Sequence, residues 1–132
     1  VVYVEEVNLN LEEDIMSITL NTVAFDYDSQ PTPNKCMYVS ADNTFSEKDL
    51  LSLGRTTPKP TTTFRGMARS EVKRTKTVDL DDGSQADAII TVNVALPVGM
   101  AQADADSLRD DVGDFLISAD AGTLVWNHDI NY

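Results

Sequence analysis

Residues 86–97, ADAIITVNVALP, alternate so regularly that they read as a half-buried strand. Ile90, Val92, Val94 and Leu96 fall on one parity and Ile89, Thr91, Asn93 and Ala95 on the other. A strand sends successive side chains to opposite faces, so one face is apolar and the other wet. A chain with such a strand needs a sheet that is covered on one side only. From about Ala101 the period changes. Ala101, Ala105, Leu108, Val112, Phe115 and Leu116 recur at spacings of three or four, with Asp104 and Asp106 near the positive end of the helix that this spacing predicts. Gly122 is expected to end that helix, and TLVWNHDINY is expected to form a second short helix or an ordered tail.

Upstream, Val2–Leu11 and Met16–Thr22 read as two antiparallel strands of a hairpin, and KCMYVSA as a further short strand after the proline loop SQPTPN. In TFSEKDLLSLG, Ser46 can cap and Phe45 and Leu50 occupy staple positions, which predicts one or two helical turns before Gly54. Residues 61–70 and 72–80 read as two strands, and DLDDGSQAD as an Asp-Gly turn into the alternating strand. Strands first and helices last is the order of an α+β protein: an antiparallel sheet with an N-terminal hairpin (1–25), a main sheet (35–96) and a C-terminal helical part (101–128) on one face, all within a single domain of 132 residues. One or two helices cover such a sheet poorly. The apolar face built from Ala105, Leu108, Val112, Phe115 and Leu116 is therefore expected to form the interface of an intertwined homodimer.

Charge is distributed as unevenly as apolarity. The formal net charge is -12, yet residues 55–76 hold seven of the ten cations and one of the 22 acids, a local net of +6. An acidic chain repels polyanions in general, but a cationic stretch gathered on one surface does not. By parity, Arg65, Arg69, Lys73 and Thr75 share the wet face with Thr91 and Asn93, while Arg74 and Lys76 point to the other side unless a bulge intervenes. Cations interleaved with hydroxyls and an amide are the mixture that contacts phosphates and unstacked bases. The competing reading is a solvated hairpin tip whose charges serve solubility, a need that the acids already meet.

Other chemistry is poorly represented. The sole histidine, His128, has no nucleophile motif beside it, and no metal-ligand spacing, phosphate-cradling glycine loop or nucleotide fingerprint occurs. In DLDDG the glycine falls at the fifth position of a would-be calcium loop and Ile90 stands at its closing position, which favours a turn. Neither an enzyme nor a cofactor or metal is expected. The lone Cys36 suits a reducing compartment, and no apolar run approaches the length of a membrane span, so a soluble chain with no membrane partner and no small-molecule substrate is expected.

The order of these elements, the motif ITVNVALPVG followed by DADSLRDDVGDFL, and the terminal INY together resemble the coat proteins of small single-stranded RNA bacteriophages, most closely over residues 61–132. That resemblance implies a dimer with one continuous sheet and exchanged helices, assembly into an icosahedral shell around single-stranded genomic RNA, and location in a virion built in the bacterial cytoplasm. It also implies RNA binding on the inner sheet face, carried onto Arg65, Arg69, Lys73, Thr75, Thr91 and Asn93, with Arg74 and Lys76 as adjoining cations. Ile89 stands where the best-known members have a stacking tyrosine, and the loop before the last strand is short. Two other functions fit the residues alone: an RNA-binding dimer that builds no shell, and a β-rich structural subunit that binds no RNA.

Overall fold

The computed structural model describes residues 17–131. They form six strands followed by two helices: β1 Ser17–Leu20, β2 Val23–Thr32, β3 Lys35–Val39, β4 Asp49–Thr56, β5 Met67–Asp79, β6 Gln85–Pro97, α1 Gln102–Leu116 and α2 Ala119–Asn127. The strands make one antiparallel sheet in sequential order. The expected strand over Val2–Leu11 lies outside the described residues. β1 forms a tight hairpin with β2 through Asn21 and Thr22, both at positive φ.

Three local expectations are corrected. The segment with helix-capping signals holds no helix. Asp49–Thr56 is β4, because Leu51 and Leu53 alternate with Ser52 and Gly54, and pairing on both sides with β3 and β5 outweighs about 1 kcal/mol of capping preference. The two strands expected over 61–80 are one 13-residue strand, β5, which starts only at Met67. Gly66 just before it has φ 98°, so the parity counted back to Arg65 and Phe64 does not hold. At the C-terminus the break between helices falls at Ile117 and Ser118, and Gly122 lies inside α2. The Ser118 hydroxyl accepts a hydrogen bond from the Ala121 amide, supplying the cap that starts α2.

Register sorts the sheet into two faces, since residues opposite one another in an antiparallel pair point the same way. The apolar face carries Phe25, Tyr27, Tyr38, Leu51, Leu53, Val72, Ile90, Val92 and Val94. Phe25 and Leu51 are only 2% and 3% exposed, and Tyr27 meets Tyr38 edge-on with ring centroids 6.0 Å apart. Arg74 lies on this face too. Its guanidinium stacks 4.8 Å from the centre of the Phe25 ring, pairs with Asp49, and donates to the carbonyls of Leu50 and Thr75 at 3.3 and 2.7 Å. Asp49 in turn accepts from the Ser40 hydroxyl at 2.5 Å, and its amide donates to the Asn43 side chain at 3.0 Å. This cluster ties β2, β4, β5 and the 40–48 loop together.

The helices do little of the covering that the sheet needs. α1 and α2 pack on one another, α1 has no buried residue, and both make little contact with their own sheet. Leu108, Val112, Phe115 and Leu116 are therefore exposed on the helix, while Val72, Ile90 and Val94 are exposed on the sheet.

Arg74 is about a third exposed and Asp49 almost buried. Replacing Arg74 with Ala should lower the unfolding free energy by about 3 kcal/mol, the low end of the range for stripping one partner from a buried pair, read as a shift in urea midpoint. Burial opposes ionisation of Asp49, but the Ser40 hydroxyl, the Arg74 guanidinium and nearby Lys76 together hold its carboxyl below the usual value. A carboxyl depressed in the folded state contributes stability above its unfolded pKa of about 3.9 and loses it as pH falls through the folded value. Urea midpoints should therefore drop on acidification below about pH 4, and Asp49→Asn should flatten that acid limb.

Candidate nucleic-acid interface

The second face of the sheet is polar, and its layout follows from register row by row. Val39, Leu50, Thr75 and Ile89 form one row across β3 to β6. The next holds Met37, Ser52, Lys73 and Thr91; then come Lys35, Gly54, Glu71 and Asn93; and Thr56, Arg69 and Ala95 complete the face. Arg69, Lys73, Thr75, Thr91 and Asn93, which alternation predicts to share a face, do share it. Arg65 does not belong to this array by register. It sits in the loop before β5, exposed, with its guanidinium over Gly99, where a Cβ would lie 2.6 Å from Nη1.

Arg74 and Lys76, grouped with these cations on sequence, point to the apolar face, and no bulge interrupts β5 to redirect them. Arg74 is committed to Asp49 and Phe25. Lys76 stands opposite Asp49 on the neighbouring strand and is exposed.

Three further residues belong to the polar face beyond those that the sequence pattern singles out. Lys35 joins it from β3, three strands away from Asn93. Ser52 joins from β4, within the segment expected to be helical. Glu71 was counted only as the lone acid of the basic stretch. Parity along β5 alone would have found Glu71, which is two residues from Lys73; Lys35 and Ser52 need the β3–β4–β5 register, which no local pattern encodes.

Exposure within the face is uneven. Ser52 is 2% exposed and Thr75 6%, so the small side chains lie low between Met37, Leu50 and Lys73. The Ser52 hydroxyl is buried without a hydrogen-bond partner among the described residues, which leaves a polar group needing one. At one end of the face Asp87 accepts from Thr77 at 2.7 Å and pairs with Lys48 at 3.3 Å; these contacts, the hydroxyl first, hold its carboxyl below the usual range. Lys48 is thereby neutralised. Lys35, Arg69 and Lys73 have no ion-pair partner among the described residues. The face therefore presents three free cations and one free acid, Glu71, with hydroxyl and amide groups between them. Among the described residues no group of three His, Cys, Asp or Glu side chains could hold a metal ion, and no helix is long and apolar enough to cross a membrane.

No protein-family model matches this chain, and no curated protein matches it in sequence. Solved structures do match it. A chain from the virus-like particle of Beihai levi-like virus 32 superposes with a TM-score of 0.75 at 15% identity, covering 85% of this chain and 91% of that one. The virus-like particle of bacteriophage GQ-907 gives 0.72 at 17% identity, covering 87% and 89%. That of Wenzhou levi-like virus 4 gives 0.69 at 14%, covering 84% and 82%. Identity this low speaks to architecture rather than to individual residues, and by its architecture the chain has the levivirus coat-protein fold.

Proposed function

We propose that this chain is a viral coat protein that dimerises, assembles into a closed shell and packages single-stranded RNA against the polar face of its sheet. The observation that carries the proposal is the fold, shared over more than four-fifths of the chain with chains from virus-like particles of levi-like phages. The role is structural rather than catalytic.

Dimerisation is supported by the two apolar surfaces that the chain leaves uncovered. Val72, Ile90 and Val94 on the sheet, and Leu108, Val112, Phe115 and Leu116 on α1, are all more than a third exposed. Apolar area costs about 25 cal/mol per Å² when left in water, and monomers rarely carry contiguous patches of this kind. The helix of a second copy laid across the sheet removes both surfaces from water at once. A twofold arrangement makes the exchange reciprocal, so neither copy is left with an open patch.

RNA binding is supported by the segregation of charge. A chain of net charge -12 opposes an RNA backbone everywhere except where cations are concentrated, and Lys35, Arg69 and Lys73 stand together on one face without ion-pair partners among the described residues. Phosphates take the cations, and the exposed Thr91 and Asn93 offer hydrogen bonds to bases.

Two experiments test this. Phe115→Ala should cost about 3–5 kcal/mol of interface and fold stability and abolish particles under the electron microscope; a variant that stays a folded monomer at micromolar concentration, or wild-type protein that does so, overturns the dimer. Arg69→Glu with Lys73→Glu should leave dimers intact and strip RNA from particles, seen as loss of 260 nm absorbance. Each phosphate contact removed should reduce the salt slope of RNA binding by about 0.7. Undiminished RNA in that double variant would show that RNA is held elsewhere.

A further inference from the structure

On the polar face, the row Lys35, Gly54, Glu71 and Asn93 lies in an open groove of about 440 Å³, bordered by Arg69 and by Asn34 of the β2–β3 turn. Gly54 supplies the depression. It has no side chain, and the atoms nearest the place a Cβ would take are Cβ of Glu71 and the Asn34 carbonyl, at 3.8 and 3.9 Å. Asn34 is itself fixed, accepting from Arg55 Nε at 3.2 Å through its side chain and from the Arg55 amide at 2.9 Å through its carbonyl. Two hydrogen bonds thus hold one side of the groove's rim.

Glu71 is the one acid of residues 55–76, it is half-buried, and its carboxylate has no hydrogen bond or ion pair among the described residues, although Lys35, Arg69 and Lys73 surround it. A face that bound phosphates alone would bind them better without it. We infer that this groove is a subsite selective for guanine in single-stranded RNA, with Glu71 reading the base edge and Lys35 and Arg69 holding the flanking phosphates.

The chemistry of the edge selects the base. An ionised carboxylate offers two acceptor oxygens and no donor. Guanine is the base that presents two adjacent donors, N1–H and the N2 amino group, on its Watson–Crick edge. Adenine and cytosine each set a ring-nitrogen lone pair beside their single amino group, and uracil flanks its one N–H with carbonyls, so each would press a lone pair against Glu71. Asn93, directly opposite Glu71 on β6, can donate its amide to the guanine O6. Bases in single strands are read on such edges once unstacked. This inference rests on the RNA-binding proposal above and names which base the face selects.

The test is fluorescence anisotropy with the purified chain held below its assembly concentration, using oligouridine ten-mers that carry one central guanosine, adenosine or inosine. Wild-type protein should bind the guanosine oligomer roughly ten- to a hundredfold more tightly than the adenosine one, as bidentate base contacts discriminate. Inosine, which keeps N1–H and lacks the N2 amino group, should fall between. Glu71→Gln should bind plain oligouridine at least as tightly as wild type, because a negative charge is removed, and should lose the guanosine preference. Equal affinity of wild type for all three oligomers, or a preference that persists in Glu71→Gln, overturns the guanine subsite and leaves RNA binding standing. Failure of both proteins to bind any oligomer overturns both.

Discussion

The antiparallel ladder between β5 and β6 is the constraint on which the rest of the structure depends. Thirteen residues pair with thirteen without a register shift. Because alternate side chains leave a strand on opposite sides, one register decides at once that Val72, Ile90, Val92 and Val94 face one way and Arg69, Lys73, Thr91 and Asn93 the other. A slip of one residue would put the cations against apolar surface and the aliphatic residues in water. The register of that ladder thus fixes the position of its charges, and Asp87 and Asp79 support it near the turn by accepting hydrogen bonds from Thr77 and Gln85 directly opposite them.

Arg74 and Lys76 are exceptions to this sorting, and Arg74 shows how the sheet accommodates a cation on its apolar face. Alternation sends it to the apolar face, where an unpaired guanidinium would be costly. Asp49 on the adjacent strand, the Phe25 ring and two backbone carbonyls satisfy it there. The result converts a misplaced charge into a tie between β5, β4 and β2. It also removes one cation from the set that a partner could use, so the basic stretch is less basic on its exposed side than its composition suggests.

Function in this reading depends on what the chain leaves uncovered. A helix with no buried residue and a sheet with exposed Val72, Ile90 and Val94 leave apolar surface in water, and the structural relatives are chains of virus-like particles. The opposite face has apolar Val39, Leu50 and Ile89 at one end, but the part that carries the unpaired Lys35, Arg69 and Lys73 among Thr91, Asn93 and Glu71 suits water or a polyanion rather than an apolar helix. The same alternation therefore supports two kinds of contact from one sheet.

The sequence by itself determined the elements whose signal is local. The alternation of 86–97, the turn at Asp82 and Gly83, and the three-to-four spacing from Ala101 are each local signals, and each element is present, although the helix ends at Leu116 rather than near Gly122. So was the sharing of one face by Arg69, Lys73, Thr75, Thr91 and Asn93, which needs only parity within two strands and a tight turn between them. What tertiary structure decided was everything that depends on strands distant in sequence. Residues 49–56 carried capping signals yet became a strand, because two neighbours offered a full set of ladder hydrogen bonds. Gly66 at positive φ broke the parity that would have placed Arg65. Lys35 and Ser52 reached the polar face through the pairing of β3 with β4 and of β4 with β5. Glu71 changed from a lone acid in a basic stretch to the wall of a groove. Local periodicity is written in the chain because each residue constrains its near neighbours; register between distant strands is set by the sum of many packing and hydrogen-bond terms, and no single stretch of sequence contains that sum.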